Sequence, residues 1–220
     1  MHISDGVLSA TVVTGGWTIT IVLAFLTLWW MNQETDITEE IPKFSVMTAA
    51  FFVASLIHLP IGPTSVHMIF NGLVGVVLGP LAYLSLVVGL ILQAFLFQHG
   101  GVTTIGVNAM NIGIPALLSY YAFKKGYDFG ISEKIMGAFS GGAAIFMTVI
   151  LLSITLLTTG QEFIGVAQVS AAAHAPLMVV EAIITGSVVT YLSKVKPELL
   201  PIKINKNEKS MEASKYGTEF

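Results

Sequence analysis

Leu81-Ala82-Tyr83-Leu84-Ser85-Leu86-Val87-Val88-Gly89-Leu90-Ile91-Leu92-Gln93-Ala94-Phe95-Leu96-Phe97 carries no charged side chain, and only Tyr83, Ser85 and Gln93 interrupt its apolar character. A stretch of this make-up approaches the roughly 20 mostly apolar residues that a membrane-crossing helix needs. Its surroundings strengthen the reading. No Lys, Asp or Glu falls between Lys43 and Lys124, and the chain has no Arg. A charge at the centre of a bilayer costs roughly 2.5–3.5 kcal/mol, whereas a soluble fold has no need of so long an uncharged run. Across the whole chain 54% of residues are hydrophobic and only 10% are charged, against about 25% charged in a soluble domain. The mean hydropathy is +0.80. With no cysteine, disulfides, thiolate metal sites and Cys nucleophiles are excluded.

Working outward from that stretch, the apolar runs predict an all-α membrane bundle of about seven transmembrane helices. They cover Leu8–Met31, Phe44–Leu59, Val66–Leu78, Leu81–Phe97, Gly106–Phe123, Ile135–Thr158 and Pro176–Ser193. The third is short for a full span, which is tolerated where a helix is buried in a bundle. With seven spans, Lys43, Lys124, Lys125, Lys134, Lys194, Lys196 and the tail lysines Lys203, Lys206, Lys209 and Lys215 all fall on one side. Lysine-rich loops stay in the cytoplasm, so the C-terminus is expected inside and the N-terminus outside. Residues 1–196 form the transmembrane domain in this reading. Residues 197–220 form a polar cytoplasmic tail, and residues 217–220 have the look of a cloning remnant. The N-terminus lacks the basic region of a signal peptide, so the chain is expected to begin at Met1. No G-x-x-x-x-G-K-[ST] occurs, so any ATP used in transport is hydrolysed elsewhere. No nucleic-acid partner is expected.

Histidine carries the chemistry. His2, His58, His67, His99 and His174 all fall at the outer ends of spans or in outer loops in this topology. His2 stands apart because of its position. A free amine on Met1, the amide nitrogen of His2 and its imidazole Nδ1 close a five- and a six-membered chelate ring on one ion. One equatorial place then remains for a fourth nitrogen. Nitrogen donors in a square plane suit Ni(II) and Cu(II), and deprotonation of the amide makes such binding pH-dependent. A simple surface histidine at the N-terminus is the competing reading.

Three stretches carry a resemblance. Met1-His2-Ile3-Ser4-Asp5-Gly6-Val7-Leu8 is the first. Leu92-Gln93-Ala94-Phe95-Leu96-Phe97-Gln98-His99-Gly100-Gly101-Val102-Thr103-Thr104-Ile105-Gly106-Val107-Asn108, continuing as Asn111-Ile112-Gly113-Ile114-Pro115-Ala116, is the second. Gly62-Pro63-Thr64-Ser65-Val66-His67, with Leu78-Gly79-Pro80 after it, is the third. Together they resemble the CbiM/NikM family, the substrate-binding membrane subunits of energy-coupling-factor transporters for cobalt and nickel. The resemblance runs from Met1 to about Lys196; Ser4 stands where the family commonly has proline.

The resemblance implies seven helices with the N-terminal segment tucked into the outer mouth of the bundle. It implies that the Met1 amine, the His2 amide and imidazole, and the His67 imidazole bind the ion. It further implies Ni2+ as transported ligand, with Co2+ as alternative, and no cofactor. The partners implied are a transmembrane coupling subunit, ATP-binding cassette ATPases and a small accessory membrane subunit, in the cytoplasmic membrane of a prokaryote. The chain itself would catalyse nothing. Asn71, four residues beyond His67 and hence on the same helical face, is a candidate for orienting that ring, with a helix-packing amide as the equal alternative. Gln98, His99, Thr103, Thr104 and Asn108 are supporting candidates, and the glycines after His99 read as a turn that brings this loop to the N-terminal segment.

Glu181 is the carboxylate expected within a span, with structural pairing as its first reading and a functional role as its second. Ala50 and Ala54, like Gly137 and Gly141, have the four-residue spacing of close helix packing. Ala50 and Ala54 are also candidates for contact with the coupling subunit. Two rival functions stand beside metal capture. One is a self-sufficient permease for a small solute. The other is a membrane metalloenzyme, which the lack of H-E-x-x-H and the scarcity of outer carboxylates disfavour.

Overall fold

The computed structural model describes residues 2–34 and 37–202. Met1, Lys203 and the rest of the tail, including Lys206, Lys209 and Lys215, lie outside the described residues. The elements in chain order are α1 (Ala10–Glu34), α2 (Ile37–Ala54), β1 (His58–Ile61), β2 (Thr64–His67), α3 (Asn71–Leu78), a 3-10 turn (Gly79–Leu81), α4 (Ala82–Phe97), α5 (Ile105–Asp128), α6 (Glu133–Thr159) and α7 (Ile164–Val195). Short 3-10 turns precede and follow α7. A helix satisfies its backbone internally, which a hydrocarbon environment demands. The uncharged runs therefore become helices.

The expected all-α fold needs one correction. His58–His67 is a two-stranded antiparallel hairpin that pairs His58 with His67 and Ile61 with Thr64. Gly62 has φ 55 and is followed by Pro63, whose ring fixes φ negative. A positive then a negative φ is the order of a type II′ turn, the hairpin-forming kind. The hairpin takes the end of the expected second span and the start of the third. What remains of the third is α3, which is buried along its whole length. At 1.5 Å per residue it is about 12 Å long, too short to cross a hydrocarbon core of about 30 Å.

Among the described residues, four stretches are fit to cross a membrane by length and composition: Ala10–Met31, Asn71–Phe97, Glu133–Thr159 and Gln161–Val195. The second is not a single crossing. His67 and His99 flank it, yet their rings are 5.3 Å apart. A straight helix over that stretch would separate its ends by about 40 Å, so the chain reverses at Gly79–Leu81, where Pro80 sits. The last helix is also longer than expected. It starts at Ile164 and runs through Pro176, at the cost of one internal hydrogen bond.

α5 lies at the centre and touches α1, α3, α4 and α6. α6 and α7 pack closely: a Cβ on Gly137 would meet Val189, and one on Gly141 would meet the Glu181 carbonyl. Those two glycines thus serve internal packing. Because the chain alternates direction, Lys43, Lys124, Lys125, Lys134, Lys194 and Lys196 lie at one end of the bundle. The N-terminal segment, the hairpin, the loop Gln98–Thr104 and the start of α7 lie at the other.

Glu181 fixes the turn from β2 into α3. It is fully buried. Its carboxylate accepts hydrogen bonds from the backbone N–H of Ile69 at 2.6 Å and of Phe70 at 3.0 Å. Phe70 has the left-handed φ of 55. Helix starts leave orphan N–H groups that favour a negative partner, and this carboxylate supplies it. Its partners are backbone amides, a structural pairing of the kind expected.

Candidate metal centre

The site begins with a short N-terminal strap. Ile3 is fully buried; its N–H donates to Asn108 Oδ1 at 2.9 Å, and its carbonyl accepts from Thr104 Oγ1 at 2.6 Å and Asn108 Nδ2 at 3.2 Å. One residue on, the Ser4 N–H donates to the Pro63 carbonyl at the hairpin tip, 3.2 Å away. A proline at position 4 has no N–H for this bond. The Asp5 carboxylate accepts from the N–H groups of Val102 and Thr103 and from the Thr103 hydroxyl. These bonds, that from the Thr103 hydroxyl foremost, hold its carboxyl below the usual range. Thr103, Thr104 and Asn108 thus anchor the strap. Gly100 has φ 82, and a Cβ there would lie 3.1 Å from His2 Cβ. The loop needs glycine at that point, as the sequence suggested.

The strap places His2 against two other imidazoles. His2, His67 and His99 each offer a ring nitrogen, all within 4.8 Å of one another. The ring centroids of His2 are 4.6 Å from those of both His67 and His99. Two imidazoles bound side by side to one ion through ~2.1 Å bonds have centroids roughly 4.5 Å apart. Small ring rotations bring the nitrogens to the ~3 Å spacing of adjacent ligands on an ion of that size.

Hydrogen bonds fix which nitrogens are donors. The Ser55 hydroxyl donates to the Phe52 carbonyl at 2.8 Å, so its oxygen accepts from Gln93 Nε2 at 2.6 Å. Gln93 therefore turns its carbonyl oxygen to His2 Nε2, 2.6 Å away. A carbonyl accepts only, so His2 Nε2 is protonated and the lone pair is on Nδ1. In His67, Nδ1 donates to the Met68 carbonyl at 2.8 Å, leaving the lone pair on Nε2. Among the described residues, Nε2 of His67 and Nε2 of His99 are buried without a hydrogen-bond partner. Burial holds the His67 imidazolium well below the usual pKa and pushes that of His99 down to about 4. Both rings are neutral at neutral pH, the form that binds a metal.

Other expected residues fall elsewhere. Asn71 does not serve His67. Its amide nitrogen donates to the Ile112 carbonyl and to Thr148. The four-residue spacing fails because the chain between them is a strand end and a turn. Gln98 is an exposed cap in left-handed conformation at the end of α4. His174 is buried in α7, with Nδ1 donating to the Ser170 carbonyl. His58 is exposed, and its ring lies 4.1 Å from that of His99. Ala50 and Ala54 are half-buried on α2. Gln93 and Ser55 are the residues that sequence reasoning missed. The available signal was an amide deep within an apolar helix.

The sequence profile described as "Cobalt uptake substrate-specific transmembrane region" (CbiM) matches residues 2–199. A protein of Haemophilus influenzae assigned to metal transport is 30% identical, over 91% of this chain and 97% of its own length. The cobalt transport protein CbiM of Sorangium cellulosum is 28% identical, over 91% of this chain and 94% of its own. A solved structure described as a truncated transition metal transporter superimposes with a TM-score of 0.76 at 26% identity, covering 88% of this chain and 99% of that one.

Proposed function

The chain belongs to the CbiM family of cobalt-uptake substrate-specific transmembrane proteins, and on that premise we propose that it captures Ni2+, with Co2+ as the alternative, outside a prokaryotic cell. It is a multi-pass membrane protein of metal transport and not an enzyme. The bound ion is held by the Met1 amine, the His2 amide nitrogen, His2 Nδ1 and His67 Nε2, with His99 as a further imidazole within reach. ATP-binding cassette ATPases drive delivery through a transmembrane coupling subunit, and a small accessory membrane subunit completes the machine. Ala50 and Ala54 on α2 belong to the face that meets the coupling subunit.

The observation that carries this reading is the convergence of His2 and His67 with their outward nitrogens occupied by Gln93 and Met68. Rings fixed in this way present lone pairs to a common point, and such outer partners orient metal-binding histidines. Four nitrogens in a plane favour nickel over cobalt in the usual affinity order. The separation of a histidine end from a lysine end supports a topology with the N-terminus outside and the C-terminus inside.

One experiment tests the ligand set. Two purified proteins are compared, one with its native N-terminus verified by mass and one with a glycine inserted between Met1 and His2. Bound nickel and cobalt per chain and the d–d absorption band are measured. Loss of the ion, or a changed band, is expected with the insertion. Unchanged binding and spectrum would remove the Met1 amine from the ligand set.

A further inference from the structure

The ion leaves water and ends in a buried site, so its hydration shell is removed somewhere on the way. His58 is exposed, His99 is half-buried with its Nε2 buried, and His2 and His67 are buried. Their centroids follow at 4.1 Å from His58 to His99, then 4.6 Å to His2. His58 and His67 are direct cross-strand partners in the hairpin. Opposed residues in such a pair place their side chains on one face of the ribbon. His58 Nδ1 lies 3.2 Å from the Leu56 carbonyl and donates to it, which leaves the lone pair on Nε2. Imidazoles suit nickel and related divalent ions.

We propose that His58 and His99 form an outer receiving pair for a hydrated divalent transition-metal ion, and that His99 hands the ion to His2 and His67. This rests on the metal-capture reading above. In the first stage two waters leave the ion and two imidazole nitrogens, one each from His58 and His99, replace them. In the second stage the bonds to His58 and then His99 break and the remaining waters leave as the Met1 amine, the His2 amide nitrogen, His2 Nδ1 and His67 Nε2 bind, and the amide proton passes to solvent. The oxidation state of the ion is unchanged, and the imidazoles exchange as neutral ligands. His58 is absent from the final site, so it sets rates and leaves the equilibrium alone.

The test is stopped-flow binding of Ni2+ to purified protein with its native N-terminus, comparing wild type, His58→Ala and His58→Asn. Stoichiometric binding by wild type is read first and reports on the metal-capture reading itself. In both variants the association and dissociation rate constants are expected to fall together, roughly tenfold, for about 1.4 kcal/mol added to the entry barrier. The dissociation constant and the d–d band stay those of wild type, which also certifies that the hairpin is folded. Unchanged association rates in either variant would overturn the proposal. So would a weakened equilibrium affinity arising from faster dissociation, because His58 would then be a ligand of the final site.

Discussion

Replacing Gln93 with Leu removes the oxygen that receives His2 Nε2–H while keeping a side chain of similar bulk. Gln93 is fully buried and His2 is 2% exposed, so water cannot substitute. In the metal-free variant the imidazole can move its proton to Nδ1, so its tautomer is not dictated. The metal-bound form has no such freedom. Nδ1 must carry the lone pair, and Nε2–H is then buried beside a leucine. An unsatisfied buried donor costs about 1–3 kcal/mol. That cost falls on the bound state alone, which corresponds to affinity weakened roughly 5- to 150-fold. The range overlaps the 10–100-fold effect typical of removing an outer partner of a metal-binding histidine. The assay is competition for Ni2+ against a chelator of known affinity, with the melting temperature of the metal-free protein as a control for folding. A Gln93→Leu protein that binds Ni2+ within twofold of wild type would refute the assignment of Nδ1 as the donor.

Gly100→Ala is expected to weaken metal binding more than it lowers the melting temperature, since its Cβ would crowd His2 from a backbone with φ 82; equal binding would show that the loop adapts. Glu181→Gln keeps the bulk and one oxygen for the Ile69 and Phe70 N–H groups, but it places an NH2 where Oε2 now accepts from Phe70, and exchanging charged for neutral acceptance costs about 1–2 kcal/mol. A lower melting temperature and weaker Ni2+ binding, through a displaced His67, are the expected readouts. The metal-free protein is expected to lose stability as pH falls from 6.5 toward 4. His67 and His99 have folded-state pKa values below the unfolded value of about 6.5, so the unfolded chain binds more protons in that window and stability rises with pH. Melting temperatures of the metal-free wild type and His99→Ala at pH 7.5 and pH 5 check this, with a smaller pH effect expected in the variant.

Much of the helical framework is legible in the sequence because lipid imposes a blunt rule. The expected Leu81–Phe97 and Ile135–Thr158 lie within two residues of α4 (Ala82–Phe97) and α6 (Glu133–Thr159) at each end. The rule is silent where protein rather than lipid is the solvent. His58–His67 is as uncharged as its neighbours, yet it pairs with itself, and Gly62-Pro63 was the available sign. Asn71 was assigned to His67 by a helical spacing that the hairpin invalidates. His2 and His67 could be named from chelate chemistry and resemblance. The approach of His99 to both, and the service of Gln93 to His2, depend on α3 and α4 doubling back, which no local pattern encodes. Polar residues in apolar helices marked positions of interest without naming their partners.

The strap joins residues far apart in time as well as in sequence. Ile3 is 105 residues from Asn108, and His2 is 91 from Gln93. A ribosome adding about 5–20 residues each second makes the histidine several seconds before its anchors exist. The N-terminal strap must therefore wait undocked until the start of α5 has been made. On the proposed ligand set, metal loading is for that reason a late event in biosynthesis, and it reports that the first half of the protein has been threaded correctly.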